Sequence, residues 1–529
     1  LVKSAADAGF NILRNWGGGV FQYNAWYDAC DEFGIMIYHD MMFAQRGHSP
    51  QVSKTEELEF RHQARRLAQH PSIVIWDGCN ECKVDMSGPT AIYATFLLTV
   101  IAEEDRMRSI WPACPAAGWK SGVDRLTSRP TGTALETQYL TTMETHGPYQ
   151  HGLPSNFPST DAAAFNFSDN CAPTNVVATD VMGTQEKNIF ASEFGSVVMS
   201  SFESMSAMLS PEHWALHGGA PYTRCESWPC TGANPMVERN YECTPLIRKW
   251  FGDSAANSLN TTGETAFKRQ LYQCMLGQAL EMKSNIEHRR STNVFGIIVW
   301  QFNEIWPTGG WGSIEYGTPG KQGQVIGGRW KPLHYFYESH LYRDVIAVCG
   351  SKSCYVKNDG DAELRDARLV LETVDLRKRA DNSDVFLEKK ISLGSGPGVI
   401  QHFEVDFSKL NFTFQVVSAK VVDSSGQTLS SNLVTMTYPK FLTLPKATVT
   451  ATVRKPAIAS SQGYDVEVKT DGPALYIMLT TTAQGRFSEN CFFIPGEGTK
   501  VVKFLPFVEE DQYPELEKSL RVEHVGEML

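Results

Sequence analysis

Residues 10–42, FNILRNWGGGVFQYNAWYDACDEFGIMIYHDMM, decide how the rest of the chain is read. Apolar runs at Asn11–Trp16 and Ile35–Met41 enclose Trp26–Phe33, a segment with helical periodicity. Strand, helix and strand in about 30 residues make a βα unit of a parallel sheet, with the helix laid on its outside.

The same alternation continues in both directions. Upstream, Leu1–Ala8 reads as the end of a helix closed by Gly9. Downstream, apolar runs at Ile73–Trp76, Ile189–Glu193 and Phe295–Phe302, with others near Trp111–Ala116 and Leu140–His146, alternate with helical patterns at Glu56–Gln69 and Ala266–His288. These seven strands predict a (β/α)8 TIM barrel over residues 1–343 whose first strand is missing from this chain. That strand is expected before Leu1, in a separate chain or in another part of the same polypeptide. Beyond residue 345 the texture turns to short alternating strands at Ala367–Leu376, Gly398–Phe407, Gln415–Val422, Ala447–Val453 and Tyr464–Thr470. Two immunoglobulin-like β-sandwiches fit that spacing, at 344–440 and 441–529, with their joint in Tyr438–Pro445.

Composition narrows the function. The 529 residues are 42% hydrophobic and carry a net charge of −11, with no basic run interleaved with aromatics, which argues against a nucleic-acid partner. No apolar stretch is long enough for a membrane span. Twelve cysteines and the sequons at Asn166, Asn260 and Asn411 point to a lysosomal or secreted setting. The close pairs Cys225/Cys230 and Cys349/Cys354 suit local loop staples, and Cys79/Cys82 reads as packed thiols or a small disulfide. Glu144, His146 and His151 complete no metal-ligand pattern, and no cofactor or metal is expected.

In a β/α barrel, reactive groups sit where strands end. The strand at Ile73–Trp76 runs into Asn80 and Glu81, and the one at Ile189–Ala191 into Glu193; Ile35–Tyr38 ends in His39 and Asp40, and Asn11–Asn15 ends in Trp16 and three glycines. Two carboxylates delivered from different strands to one pocket are what glycoside hydrolysis requires. A single glutamate at a strand end is more often a structural anchor. Asp40, Trp16 and Asn80 beside the pair favour a sugar site, where aromatic faces stack on rings and polar groups meet hydroxyls.

The segments "NWGGGVFQYNAWYDACDEFGIMIYHDMMFA", "HPSIVIWDGCNE", "FASEFG", "VWQFNEIWPTGGWGSIEYG" and "GRWKPLHYF" resemble, in this order, family 2 glycoside hydrolases, and β-mannosidases most closely. The resemblance runs over essentially the whole chain. It implies a retaining exo-β-glycosidase that removes terminal β-D-mannose from oligosaccharides or glycoprotein glycans, with Glu81 as acid/base and Glu193 as nucleophile. It also implies that Asn80 bonds the sugar 2-hydroxyl, that Asp40 binds further hydroxyls, and that Trp16, Trp300 and Trp306, with Asn303, line the subsite. The carboxyl groups are then expected roughly 5 to 5.5 Å apart, with Glu81 kept protonated by burial and by the charge of Glu193. In this family an N-terminal β-sandwich precedes the barrel and helps to close the subsite. Alternatives are an exo-β-glucosaminidase or endo-β-mannosidase activity, or a non-catalytic carbohydrate-binding or structural protein. Two places depart from the pattern. Cys79 stands where β-mannosidases carry Asn, and the aromatic partner of the nucleophile is unassigned, with His146 and Tyr149 as its candidates.

Overall fold

Apolar strands followed by amphipathic helices fold as the alternation demands in the computed structural model. It describes residues 1–44, 52–82, 92, 96–111, 113–114, 123–124, 129–130, 143–150, 189–219, 234, 236, 243–291, 294, 296–306, 309–319, 325–350, 352–396, 399–454 and 463–529. Two compact units emerge, one formed by Leu1–Pro148, Val176–Phe194 and Thr292–Val299, the other by the remainder.

In the first unit, β1 (Ile12–Asn15), β2 (Met36–Asp40), β3 (Ile73–Asp77) and β4 (Ser109–Trp111) form a parallel ladder in that order. Helix α1 (Val2–Asp7) precedes it, α2 (Asn24–Phe33) joins β1 to β2, and α3 (Lys54–Leu67) leads into β3. Each connection has a local cause. α2 stops at Gly34, whose left-handed φ of 68° a residue with a Cβ adopts only at a cost, and α3 starts at a capping box between Ser53 and Glu56. Helix α4 (Leu98–Glu104), which the sequence reading did not pick out, is tied to α3 by Arg61 and Arg65, both bonded to Glu104. A second sheet orders β5 (Met143–Gln150), β6 (Ile189–Ser196) and β7 (Gly296–Val299), with β6 and β7 parallel. Ile12, Tyr38, Ile75, Trp111, Phe190 and Ile298, drawn from β1, β2, β3, β4, β6 and β7, share one apolar core with Cys114.

The expected strands therefore appear with shifted edges. The run expected at Leu140–His146 is strand over Met143–Gln150, and that expected at Trp111–Ala116 is strand over Ser109–Trp111, continued by an isolated bridge at Cys114. The run at Phe295–Phe302 leaves the ladder after Val299.

In the second unit, α5 (Thr244–Phe251) packs against α6 (Glu264–Ser291), a helix of 28 residues. Ala266–His288 showed one apolar face in the sequence, yet α6 is buried on nearly every side from Gln270 to Glu287. Its polar residues are consumed by bonds: Tyr272 Oη donates to the Tyr476 carbonyl at 2.8 Å and Gln273 Nε2 to that of Met528 at 2.7 Å. From residue 345 onward all sheets are antiparallel. Strands β8 (Val345–Cys349), β9 (Ser353–Asn358) and β12 (Val399–Glu404) face a sheet of β10 (Leu364–Asp375), β11 (Asp384–Leu393), β13 (Gln415–Val422) and β14 (Thr428–Val434), ordered β11-β10-β13-β14, across one apolar core. A disulfide joins Cys349 to Cys354, which are directly opposed in the β8–β9 hairpin. Cys225 and Cys230 lie outside the described residues. The remaining strands include β15 (Val449–Val453), β16 (Tyr464–Thr470) and β17 (Ala474–Thr480), in a four-stranded and a three-stranded sheet. Between the two sets of sheets, Tyr438 is buried edge-on against Trp250.

Candidate active site

The parallel register builds the site in rows. Asn15 pairs with His39, and His39 with Trp76; one step further along, Asp40 pairs with Asp77, and Asp77 with Trp111. Beyond the strand ends Asn80 continues the ladder by bridges to Ala44 and Cys114.

At the centre is Arg14, a residue that the sequence reading passed over. Its guanidinium bonds Asp40 through Nε at 2.9 Å and Nη2 at 2.6 Å, Asn80 Oδ1 through Nη2 at 2.8 Å, and Glu193 Oε2 through Nη1. Its side chain is almost wholly buried and lies over the Tyr38 ring. Burial opposes the charge, but Asp40, Cys114 and Glu193 outweigh it and hold Arg14 firmly cationic. One feature of the sequence could have revealed it: an arginine inside an apolar strand buried on both faces has to be paired.

Asp40 is fully buried, and its oxygens accept from Arg14 and from the Gly17 N–H at 2.9 Å. In the described residues it acts as the holder of Arg14. Gly17 explains the glycine run: a Cβ there would lie 2.1 Å from the Phe43 carbonyl oxygen, so only glycine lets the chain pass and donate to Asp40. Asp77, another residue not singled out, accepts from Tyr38 Oη and from the Cys79 N–H. Burial pushes both carboxyls upward against the pull of Arg14, with Glu193 adding to the rise at Asp40 and Asp40 to that at Asp77. His39 is driven down to about 3 by burial and is neutral. Its Nδ1–H donates to the Asp40 carbonyl at 2.7 Å, which leaves Nε2 to accept from Tyr27 Oη at 2.8 Å and Asn15 Nδ2 at 3.1 Å.

Glu193 is 5% exposed, at the end of the apolar part of β6. Glu81 follows Asn80 directly, its N–H donating to the Cys114 carbonyl at 2.7 Å. It is exposed, where the sequence led us to expect burial, and its φ of 54° is left-handed, which costs a non-glycine residue about 1 to 2 kcal/mol. Such strain is typical of functional turns. Cys79 and Cys82, on either side of Asn80 and Glu81, form a disulfide.

The other expected site residues fall in different places. Trp16 is half-buried and its ring folds over Gly18. Trp300, Asn303 and Trp306 belong to the second unit, where Trp300 lies against Trp311 and Trp306 Nε1 donates to the Gly309 carbonyl at 2.9 Å. His146 and Tyr149 lie on β5, beside β6 in the sheet, and their side chains are outside the described residues. Among the described residues Asp28, Asp31 and His70 cluster at metal-ligand spacing. Asp31 is bonded to His70 Nδ1 at 2.7 Å and to the Ser72 N–H at 3.0 Å, an anchoring role that needs no ion.

The chain is similar to known proteins in sequence and fold. Residues 444–528 match the family model of the mannosidase Ig-fold domain. A β-mannosidase of Bos taurus is 26% identical over 574 residues, covering 99% of this chain and 57% of that protein. A β-mannosidase of Mus musculus is 26% identical over 64% of this chain and 35% of its own length. Among solved structures, a β-D-mannosidase from Dictyoglomus thermophilum superposes with a TM-score of 0.64 at 19% identity, and the Amycolatopsis orientalis exo-chitosanase CsxA with 0.64 at 14%, each over 99% of this chain and 57% and 60% of theirs. By these comparisons the chain is similar to glycoside hydrolases of family 2. Within that class it is β-mannosidase-like. It spans 57% of the length of the bovine relative.

Proposed function

We propose that this chain carries the catalytic part of a retaining exo-β-mannosidase. The observation that carries the reading is the buried cluster in which one arginine, Arg14, bonds both Glu193 and the Asn80 that directly precedes Glu81. Glu193 and the residue next to Glu81, from separate strands, are thereby bonded to one cation at the strand ends. The shared core of both sheets in the first unit supports closure into a (β/α)8 barrel over residues 1–343, with sandwiches at 344–440 and 441–529.

Glu193, held by Arg14, attacks the anomeric carbon while Glu81 protonates the glycosidic oxygen; Glu81 then takes a proton from the water that releases the glycosyl-enzyme. Since Glu81 is exposed, its protonation relies on the substrate that covers it. Asp40 acts through Arg14. Trp16, Trp300, Asn303 and Trp306 supply sugar contacts, and His146 or Tyr149 the contact to the nucleophile. The substrate is a terminal β-mannoside on an oligosaccharide or glycoprotein glycan. The exposed sequons Asn260 and Asn411, with the disulfides, support a lysosomal or secreted location. Among the described residues no helix is long and apolar enough to cross a membrane.

The test is proton NMR of a β-mannoside digest, in which β-mannose should form first. Initial α-mannose would mean inversion and remove Glu193 as nucleophile. Glu81→Gln should slow unactivated mannosides by about a hundredfold or more and activated aryl mannosides far less. A β-glucosaminide cleaved faster than the mannoside would favour the activity class of the Amycolatopsis orientalis neighbour.

A further inference from the structure

The turn that bears Glu81 is enclosed by a covalent ring. Cys79 and Cys82 are disulfide-bonded across Asn80 and Glu81, with their Cα atoms 5.6 Å apart. Both cysteines are buried, while Glu81 between them is exposed on a left-handed backbone. Entry to the turn is well anchored: the Cys79 N–H donates to Asp77 Oδ1 at 2.8 Å, the Asn80 N–H to the Phe43 carbonyl at 3.0 Å, and the Glu81 N–H to that of Cys114 at 2.7 Å. The exit, at Cys82, is fixed to this anchored side by the disulfide.

We propose that the Cys79–Cys82 disulfide is a positioning device for the acid/base, holding Glu81 in the strained conformation that aims its carboxyl at the leaving group. The proposal rests on the reading of Glu81 as acid/base. The backbone sets the direction in which a side chain leaves it, and a left-handed glutamate relaxes toward right-handed geometry unless the surrounding chain prevents it. Closing the turn with a covalent bond removes that escape. A dithiol reductant should release it: two electrons and two protons pass to the two sulfurs, the Sγ–Sγ bond breaks, and the dithiol leaves as its own cyclic disulfide.

A positioning role through Glu81 predicts a defect that depends on the leaving group. In Cys79→Ser/Cys82→Ser, or in Cys79→Ala/Cys82→Ala if the serine pair does not fold, kcat/KM for unactivated mannosides should fall about tenfold, with activated aryl mannosides changed by less than about twofold. Cys349→Ser/Cys354→Ser should show no such split. Equal losses on both substrate types, or no loss on either, overturns the proposal. Alkylation of the native protein under denaturing conditions without reductant, read by peptide mass, should leave Cys79 and Cys82 unmodified; two alkylated thiols there overturn it independently of any variant. Glu81→Gln in the same assays separates the two levels. If it loses both substrates equally, the acid/base reading itself fails. If it shows the split and the disulfide variants do not, only the positioning role falls.

Discussion

Each unit buries a carboxylate cluster, and the two are built on opposite electrostatic terms. In the second unit Glu287 Oε1 accepts from Lys283 Nζ at 2.5 Å, His340 Nε2 at 2.8 Å and Asn432 Nδ2 at 2.9 Å. Burial opposes its charge, but Lys283 and then His340 prevail, and its pKa sinks to about 2. In the first unit Arg14 is shared by Asp40 and Glu193 with Asp77 close by, and the carboxyls of Asp40 and Asp77 are pushed up. Burial of charge is common to both. On the proposed function, what separates the fold-holding cluster from the reactive one is whether the carboxylates outnumber the cations that serve them.

The largest test of this contrast is Glu193→Gln, which should reduce turnover roughly a thousandfold or more, since an amide cannot form the glycosyl-enzyme. Retained activity would make the first cluster structural, like the second. Next, Arg14→Met and Lys283→Met each leave buried carboxylates without their cation and should cost about 3 to 5 kcal/mol of stability by denaturant unfolding. Only Arg14→Met should also lower kcat/KM of the surviving folded enzyme, by about a hundredfold; equal kinetic effects would erase the distinction.

The smallest effect is one of pH. Because the pKa of Glu287 lies below its ordinary value, its ionised form stabilises the fold above about pH 4.5, and that contribution is lost as pH falls toward 2. Glu287→Gln should therefore cost about 3 kcal/mol at pH 7, progressively less between pH 4.5 and 2, and leave kcat/KM unchanged. A cost independent of pH would assign the loss to packing.

How much of this was legible in the sequence differs between elements for physical reasons. Tyr464–Thr470 and Gln415–Val422 are strands with the expected bounds, since one face of each is buried and the period of two is clean. β11 was missed: its run DVFLEKKISL is mostly exposed, and an edge strand with charges on both faces has no alternation to read. Glu81, Glu193, Asn80 and Asp40 could be found as polar residues closing apolar strands. Arg14 and Asp77 were passed over because their importance lies in pairing across strands, which one-dimensional spacing does not carry. The exposure of Glu81 was likewise invisible, as it follows from a backbone angle.

The bond from Gln273 to the Met528 carbonyl joins residues 255 apart in the sequence. During synthesis α6 therefore leaves the ribosome long before its last partners exist. At 5 to 20 residues per second that wait is on the order of 10 to 50 seconds, during which Leu271, Tyr272, Met275 and Leu276, all buried in the finished protein, lack part of their cover. Yield on expression should accordingly depend on translation speed between residues 291 and 528.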